Sequence, residues 1–464
     1  MDYWGGGSAG APAGGAASCY NDAMGRSVVA AIVSFESRSR ARLAVGTAAL
    51  VVACSGARTT SLTRDASDVD SGGGAGDDGA AKDATRPDAS TSRDGALRDG
   101  HAADAPFHRD ATSDSSTPSD ASGSTHLVAY GSGYGPNIVA YSVSAATGAL
   151  AVIQSQAAFG TSPSFLAVNP ALTRLYAVDE NTTGRVGSYS IDPTSGDVTF
   201  LNAVSSGGAG PPFVSVDATG KWVFVANYGD GTVSVLPVQA DGSLGAATTT
   251  LTVGANAHMM APDPSNRFIF VPCLGADYIA QFTFDAATGA LMPNPTAPHV
   301  MAAAGAGPRH IAFHPNGKFA YVINETNSTL ATYAFDAAAG TLGLLGTKST
   351  VPPGFSGTNT AAEVHVHPTG AWLLASNRGA DDIAVFPVDA ATGSLGSPTF
   401  TPAGGMTPRD FTIAPGGTLV YAANQTTGNI VPFIFNPATG VLSTTASPAL
   451  VPSASFIGVI NLAQ

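Results

Sequence analysis

The sequence predicts an all-β fold, a seven-bladed β-propeller, from three observations. A turn of the type "DAATGAL" recurs seven times, 46–53 residues apart, and its glycines are Gly148, Gly196, Gly242, Gly289, Gly340, Gly393 and Gly440. Between these turns lies a second unit, an apolar strand, a Pro-x-Gly-like turn, another apolar strand and an asparagine, as in "IAFHPNGKFAYVIN". No stretch of this region has a sustained helical period. Repeats of this length, each with four short strands, are typical of propeller blades.

The two ends of the repeat region predict how the ring closes. The first unit, "HLVAYGS" followed by "NIVAYSV", supplies outer strands with no inner strand before it. The last segment, "SFIGVINL", supplies an inner strand with no partners after it. We expect the two to complete the first blade together, because an open sheet edge would invite aggregation.

The first 54 residues are predicted to direct export. A basic stretch precedes an unbroken, weakly apolar run from Leu43 to Ala53, which is too short to span a membrane. The run ends in "VVAC", which resembles a bacterial lipobox and predicts lipidation of Cys54. An ordinary cleaved signal is the alternative. The protein is therefore expected at the bacterial cell envelope, with lipid at Cys54 as its only membrane contact.

Residues 55–125 form a second region, rich in Asp, Ser, Thr, Ala and Gly and poor in bulky apolar residues. Such a composition cannot bury enough surface to offset the entropy of ordering, so we predict a disordered linker. The propeller domain is assigned to residues 126–464. A net charge of −13 argues against a nucleic-acid partner. Three cysteines do not make a disulfide framework, and a monomer is expected.

One hairpin, "GPRHIAFHPNGKFAYVINE", has charged residues at both ends. With Gly317 as its turn, Arg309 lies eight residues before and Glu325 eight residues after, which predicts cross-strand neighbours. The same count in the adjacent blades places His258 and Arg378 at this level. We therefore predict that side chains from three consecutive blades converge at one mouth of the central channel.

The alternative is that these groups are structural ties between blades. Against it, residues 126–464 contain only nine lysine and arginine residues, and the mouths of propeller channels commonly bind ligands. Other polar residues are expected to be structural, in particular His314, His367 and the asparagines that end the second strands. The acidic residues Asp179, Glu180, Asp230 and Glu363 lack the loop spacing of a calcium site.

The quoted hairpin, together with "AEVHVHPTGAWLLASNRGADDIAVF" and "PRDFTIAPGGTLVYAANQ", resembles the seven-bladed lactonase family. That family includes the propeller-type 6-phosphogluconolactonases and a fungal carboxy-cis,cis-muconate cyclase. Its proposed active-site residues fall on His258, Arg309, Glu325 and Arg378. The chain departs from the family at Cys273, where relatives often have aspartate, and at Asp410, where histidine is common.

The resemblance implies a lactone hydrolase, a carboxylic ester hydrolase that requires no metal or organic cofactor. Arg309 and Arg378 would clamp an anionic substituent of a small lactone, and one of them would stabilise the oxyanion. Glu325 or His258 would serve as the general base for water. Two alternatives stay open, a non-catalytic propeller that binds a ligand or protein at the cell envelope and a muconate cycloisomerase.

Overall fold

The computed structural model of the protein describes residues 125–463, which form seven β-sheets. Blade 1 contains β1 (Thr125–Gly133), β2 (Asn137–Val143), β3 (Leu150–Ala157) and, from the end of the chain, β30 (Ala454–Ala463). Blades 2 and 3 contain β4 (Leu166–Val168), β5 (Arg174–Asp179), β6 (Arg185–Ile191), β7 (Val198–Ser205), β8 (Phe213–Val216), β9 (Trp222–Asn227), β10 (Thr232–Pro237) and β11 (Thr249–Thr252).

The remaining blades follow in chain order. Blade 4 contains β12 (Ala261–Pro262), β13 (Phe268–Cys273), β14 (Tyr278–Asp285), β15 (Ala290–Pro293) and β16 (His299–Met301), with a short 3-10 turn, Leu274–Ala276, before β14. Blade 5 contains β17 (Pro308–Phe313), β18 (Phe319–Asn324), β19 (Thr329–Asp336) and β20 (Thr341–Ser349). Blade 6 contains β21 (Ala361–Val366), β22 (Trp372–Asn377), β23 (Asp382–Pro387) and β24 (Thr399–Pro402). Blade 7 contains β25 (Pro408–Ile413), β26 (Leu419–Asn424), β27 (Asn429–Asn436), β28 (Val441–Thr444) and β29 (Ala449–Leu450).

All pairings within the sheets are antiparallel, and the innermost strand is the first strand in blades 2–7 and β30 in blade 1. These inner strands contact each other around a central channel, as β17 does with β21, β21 with β25, β25 with β30 and β30 with β4. The predicted seven-bladed propeller is confirmed. The four-strand pattern differs in two blades, because the outer edge of blade 4 is divided between β15 and β16 and that of blade 7 between β28 and β29.

The apolar core lies between neighbouring blades. The second strands are apolar on both faces and are buried along their whole length in blades 4, 5 and 7. The outer strands are exposed, as β20 shows. One apolar cluster, for example, joins Phe270 of blade 4 to Val322 and Tyr333 of blade 5. Because each blade buries its faces against its neighbours, the ring stabilises itself only when it is complete.

The recurring glycine turns connect the third strand of each blade to its outer edge, and they dock on the preceding blade. Gly340 has a φ of +67°, and a Cβ there would lie 2.1 Å from the ring of Phe268 in blade 4. Gly393 accepts a hydrogen bond at its carbonyl from the Tyr321 hydroxyl of blade 5, at 3.0 Å. The turn requires glycine both for its left-handed backbone and for this close approach, which explains the repeat.

The predicted closure of the ring by both ends of the chain is confirmed. Strand β30 pairs antiparallel with β1 from Thr125 opposite Ala463 to Gly133 opposite Ala454. The C-terminal strand thereby becomes the inner strand of blade 1. Residues 1–124, with the predicted export segment, linker and Cys54, lie outside the described residues. Within residues 125–463, no helix is long and apolar enough to cross a membrane.

Candidate functional site

An irregularity in the inner strands shapes the candidate site. In blade 5, Pro308 pairs with Asn324 and His310 pairs with Ile323, so Arg309 is the extra residue of a β-bulge. A bulge leaves one residue unpaired and redirects the side chains around it. As a result the consecutive residues Arg309 and His310 both face the channel, where regular strand alternation would have turned one of them away.

Because of the bulge, the register of the two strands differs from the register predicted from the sequence. Counting from Gly317 places Arg309 directly opposite Glu325, and this pairing is wrong. The Glu325 amide instead donates to the carbonyl of Gly307, at 2.7 Å. The two side chains still meet, because the bulge turns the Arg309 guanidinium towards the carboxylate.

The same register shift recurs in other blades. It occurs at Arg409 in blade 7, between Ala361 and Val364 in blade 6, and beside Ser455 in blade 1. In blade 4, His258 occupies the equivalent stretch, just before β12. The end of the channel opposite the Pro-x-Gly-like turns thus receives two levels of side chains from these inner strands.

The upper level, which we call the mouth, contains three of the four predicted site residues in direct contact. The Glu325 carboxylate oxygen Oε2 lies 2.8 Å from Arg378 Nη2 and 3.2 Å from Arg309 Nε. The Arg309 N–H does not point at this oxygen, so that contact is a charge pair without a hydrogen bond. Backbone carbonyls hold both arginines, that of Ala362 for Arg309 and those of Thr360 and Ala361 for Arg378.

Charge governs protonation within this cluster. Burial would raise the pKa of Glu325, but the adjacent Arg378 and Arg309 hold it below its ordinary value. Burial and the neighbouring guanidiniums of Arg378 and Arg409 lower the pKa of Arg309 to about 10. Glu325 is therefore a firmly ionised carboxylate with two cationic partners.

The fourth predicted residue, His258, begins a hydrogen-bonded chain that leads into the protein. Its Nδ1 lies 3.1 Å from Nε2 of His310, and Nδ1 of His310 lies 2.7 Å from Oε2 of Glu363. Asp410 faces Glu363, and its Oδ2 accepts the Ile457 amide at 2.8 Å. His258, His310, Glu363 and Asp410 are all buried.

The protonation states along this chain follow from burial and charge. Burial lowers the pKa of His258 well below its ordinary value, and the Arg309 charge adds to the effect. Burial lowers the pKa of His310 to about 4, against the opposing influence of Glu363. Despite its burial, Glu363 has a lowered pKa because of its contact with His310, whereas burial and the Glu363 charge raise the pKa of Asp410. At neutral pH both histidines are therefore neutral and Glu363 is anionic, and Asp410 has the higher affinity for a proton of the two carboxyl groups.

Beneath the mouth, one side chain from each blade forms a lower level, which we call the channel layer. Its members are Phe456, Phe165, Phe213, Met259, His310, Glu363 and Asp410. The ring centres of Phe165 lie 4.5 Å from Phe213 and 4.7 Å from Phe456, and that of Phe213 lies 5.3 Å from His310. Aromatic rings thus border the polar chain on one side.

The wall of the mouth across from His258 contains an aromatic–cation pair. The Arg409 guanidinium lies 5.5 Å from the ring centre of Tyr134. The Tyr134 hydroxyl donates to Oε2 of Glu180, at 2.7 Å. Arg409 is near enough to influence the pKa values of His258 and Glu325.

Sequence reasoning missed three site residues, His310, Glu363 and Asp410, and it did not assign Arg409 to the site. The three missed residues stand at equivalent positions of consecutive blades, in "PRH", "AAE" and "PRD". That alignment of polar residues was the available signal. By contrast, His314 and His367 are structural as expected, because their Nε2 atoms bond the carbonyls of Gly370 and Gly417 in the next blade.

Two further features lie near this region. Potential metal ligands of Glu363, His365 and Asp410 lie within 4.8 Å of one another, but Glu363 and Asp410 already accept the hydrogen bonds described above. The Cys273 thiol is buried in the apolar core and contacts the carbonyl of Val271 at 3.4 Å. Burial raises its pKa to about 12, so it is not a nucleophile at neutral pH.

Comparisons with known proteins place this geometry in a family. Residues 125–459 match the family model described as "Lactonase, 7-bladed beta-propeller". A 6-phosphogluconolactonase of Bacillus subtilis is 34% identical over 301 residues, which cover 62% of this chain and 85% of that protein. A 6-phosphogluconolactonase of Pectobacterium carotovorum is 36% identical over 282 residues, covering 60% and 82%.

A solved structure supports the same assignment. The periplasmic gluconolactonase of Pseudomonas aeruginosa superposes with a TM-score of 0.68 at 30% sequence identity, covering 73% of this chain and all of that one. The family model spans the propeller from its first strand into its last. The chain belongs to the lactonase family of seven-bladed β-propellers, as the sequence motifs predicted.

Proposed function

We propose that the mouth is the active site of a lactone hydrolase in which His258 activates water and arginines stabilise the oxyanion. The reaction class is that of the family. The observation that carries the site assignment is the hydrogen-bonded chain from Glu363 through His310 to His258, which ends beside the Arg309–Glu325–Arg378 cluster.

The structure favours His258 over Glu325 as the general base. Glu325 is paired with two guanidiniums, and the same attraction that keeps it ionised makes it a weak proton acceptor. Burial and the Arg309 charge also lower the pKa of His258, but the imidazole is neutral at physiological pH and, among residues 125–463, is in no ion pair. Glu325 instead orients the two arginines.

The hydrogen-bonded chain also selects the tautomer of His258. An anionic Glu363 can only accept, so Nδ1 of His310 carries the proton and Nε2 of His310 has a lone pair. Nδ1 of His258 must then donate to that lone pair. This leaves Nε2 of His258 unprotonated, and it has no hydrogen-bond partner among residues 125–463. A positioned base with its lone pair free is what the activation of water requires.

Two donors remain for the oxyanion. The contacts of Arg309 use Nε and Nη1, and those of Arg378 use Nε and Nη2. Within the described part of the chain, Arg309 Nη2 and Arg378 Nη1 have no hydrogen-bond partner. Preorganised cationic donors at a developing negative charge are a large source of rate enhancement.

The reaction balances with these groups alone. His258 Nε2 removes a proton from water as the water oxygen attacks the lactone carbonyl carbon, and an arginine N–H stabilises the oxyanion. As the carbonyl re-forms, the bond between the carbonyl carbon and the ring oxygen breaks. The proton on His258 passes to the departing ring oxygen, which yields the hydroxy acid and restores the neutral histidine.

The substrate class we propose is a small sugar-acid lactone with an anionic substituent. Its support comes from the 6-phosphogluconolactonase and gluconolactonase relatives and from three guanidiniums at one mouth. An exported enzyme would not meet a cytoplasmic phosphorylated lactone, so a carboxylated lactone suits the proposed location.

The test is hydrolysis of a lactone panel by the full-length protein, followed by pH-stat titration. We expect turnover of at least one sugar lactone, and a kcat lowered about 10²–10⁴-fold by His258→Gln with little change in melting temperature. His314→Gln, a structural histidine at the opposite end of the ring, is the matched control and should keep its kcat. Binding of ligands without turnover would favour a binding propeller, and isomerisation of a muconolactone would favour a cycloisomerase.

We further propose that the protein is exported and anchored by lipid at Cys54. The support is the basic stretch, the short apolar run and the "VVAC" sequence. Cys54→Ala should move the protein from the membrane fraction to the soluble exported fraction without loss of lactonase activity. Equal membrane association of the two forms would contradict the anchor.

A further inference from the structure

Arg409 differs from the other two arginines of the mouth in having no polar partner. Its side chain is buried, with 6% of the residue exposed. Within residues 125–463 it makes no hydrogen bond, and no carboxylate lies within ion-pair distance of it. The Tyr134 ring, 5.5 Å from the guanidinium carbon, is the contact that the structure shows.

Burial disfavours the Arg409 charge, but Tyr134, Glu180 and Glu325 act on it at longer range, and together they outweigh burial and raise its pKa. The two nearest carboxylates already have other partners. Glu325 is shared by Arg309 and Arg378, and Glu180 accepts the Tyr134 hydroxyl. The N–H donors of Arg409 are therefore left without a direct partner among residues 125–463.

We propose that Arg409, stacked on Tyr134, is a subsite that binds the anionic substituent of the substrate, a carboxylate or a phosphate. The planar fork of a guanidinium matches both groups and can bind either in a bidentate manner. The identification of this anion as a substituent of a lactone rests on the function proposed above. Anion binding itself does not require turnover.

The position of Arg409 separates recognition from chemistry. Arg409 belongs to blade 7, whereas His258, Arg309 and Arg378 belong to blades 4, 5 and 6. A lactone whose anion binds Arg409 can direct its carbonyl towards Arg309 and Arg378, which are near enough for the Arg409 charge to lower the pKa of both. The Tyr134 ring lies 5.5 Å from the guanidinium carbon and contributes a cation–π attraction that helps to hold the side chain in place.

The other two arginines are less suited to this task. An anion that bound Arg309 or Arg378 would compete with Glu325, which already lies 3.2 Å and 2.8 Å from them. It would also occupy the donors that the oxyanion needs. Next to Arg409 in the sequence, Asp410 has a pKa raised by burial and by the Glu363 charge, which favours its neutral form and weakens its repulsion of an incoming anion.

The experiment compares Arg409→Gln and Arg409→Lys with the full-length wild type on three lactones. These are neutral D-glucono-1,5-lactone, its 6-phosphate, and the carboxylated D-glucaro-1,4-lactone. We expect Arg409→Gln to raise KM about 10–100-fold for whichever anionic lactone the wild type prefers, as loss of a charged hydrogen-bond donor does. The fall in kcat/KM should be much smaller on the neutral lactone than on the anionic one, although loss of the Arg409 charge also acts on the pKa values of His258 and Glu325. The preferred anionic lactone identifies phosphate or carboxylate as the group bound.

The matched control is Arg267→Gln. Arg267 also stacks on an aromatic ring, that of Phe268 at 5.1 Å, but it lies beside a Pro-x-Gly-like turn at the other end of the ring. It should show wild-type KM values on all three lactones. Arg409→Lys keeps the charge and should recover part of the affinity, which a purely steric role would not explain.

Calorimetric binding of the open-chain anions 6-phosphogluconate and glucarate gives a readout that needs no turnover. If the wild type hydrolyses no lactone but binds one anion, and Arg409→Gln loses that binding, the subsite stands and the proposed hydrolysis fails. If Arg409→Gln binds the anions as the wild type does, or loses affinity for neutral and anionic lactones equally, the subsite is overturned.

Discussion

The two sides of the channel layer use the same backbone position for opposite purposes. Blades 1–3 place Phe456, Phe165 and Phe213 there, and blade 4 places Met259. Blades 5–7 place the polar residues His310, Glu363 and Asp410. Seven equivalent strand positions thus divide into an apolar side and a polar side. The repeat provides the scaffold, and substitution at this one position in three adjacent blades provides the polar side.

The aromatic rings of the apolar side also influence protonation on the polar side. The rings of Phe213 and Phe165 lie edge-on to His310, at 5.3 and 6.1 Å between ring centres. They keep water from the imidazole, and burial is the first cause of its low pKa. The aromatic side therefore helps to keep His310 neutral, which the proposed tautomer of His258 requires.

Glu363→Gln tests the polar side and should have the largest effect. A glutamine can donate to Nδ1 of His310, which would reverse both tautomers and leave the wrong nitrogen of His258 protonated. We expect kcat to fall about 10²–10⁴-fold while KM changes little, and the pH–rate profile to shift. Steady-state kinetics with the best lactone, recorded over a range of pH, give kcat, KM and the pH–rate profile. A wild-type kcat in this variant would remove Glu363 and His310 from the mechanism.

Phe213→Ala tests the apolar side. Truncation of this buried ring should lower the free energy of unfolding by about 3–5 kcal/mol, because it leaves a cavity beside Phe165. Chemical denaturation measures this loss. The folded variant should keep more of its kcat than Glu363→Gln does. If the two variants change stability and kcat to the same extent, the two sides are not functionally distinct.

Acid should weaken the fold through His310. In the unfolded chain this histidine binds a proton near pH 6.5, but in the folded protein only near pH 4. Between these values the unfolded state binds more protons, so stability falls as the pH is lowered, by about 3 kcal/mol in all. Asp410, with its raised pKa, acts in the opposite direction, losing its contribution as the pH rises.

His310→Gln isolates the contribution of this one histidine. Denaturation curves from pH 4 to 7 should show a smaller fall in stability for the variant than for the wild type. A difference between wild type and variant that is constant over this range would contradict the assignment.

Met259→Leu probes the boundary between the two sides and should have the smallest effect. The exchange keeps the volume but removes the sulfur that accepts the Ile311 amide at 3.2 Å. We expect a loss of about 1 kcal/mol in the free energy of unfolding and no change in kcat. A large loss of kcat would extend the active site beyond the polar side.

The fold was predictable because its determinants are local. Each glycine turn needs a positive φ and close packing on the blade before it, so glycine recurs at a fixed position, as at Gly340. The extra strands β16 and β29 were not predicted. They form where the connection to the next blade runs back along the third strand of its own blade, and this depends on tertiary packing, not on a sequence pattern.

The site was predictable in part, and the errors of the prediction have one structural cause, the β-bulge. Counting residues from the turns predicted that one mouth of the channel contains His258, Arg309, Glu325 and Arg378. Such a count cannot detect a β-bulge. The bulge turns two consecutive residues towards the channel. His310 was therefore read as a neighbour of a site residue, although it links His258 to Glu363.

The closure of the ring by β30 makes activity depend on completion of the chain. Strand β30 carries Phe456 and the Ile457 amide that binds Asp410, and Ser455 of this strand donates to the carbonyl of Ser164 in blade 2. These residues are the last of the propeller to be synthesised. Until β30 pairs with β1, blade 1 lacks its inner strand and Asp410 lacks the hydrogen bond from the Ile457 amide. The complete proposed site therefore forms only when the final strand is in place.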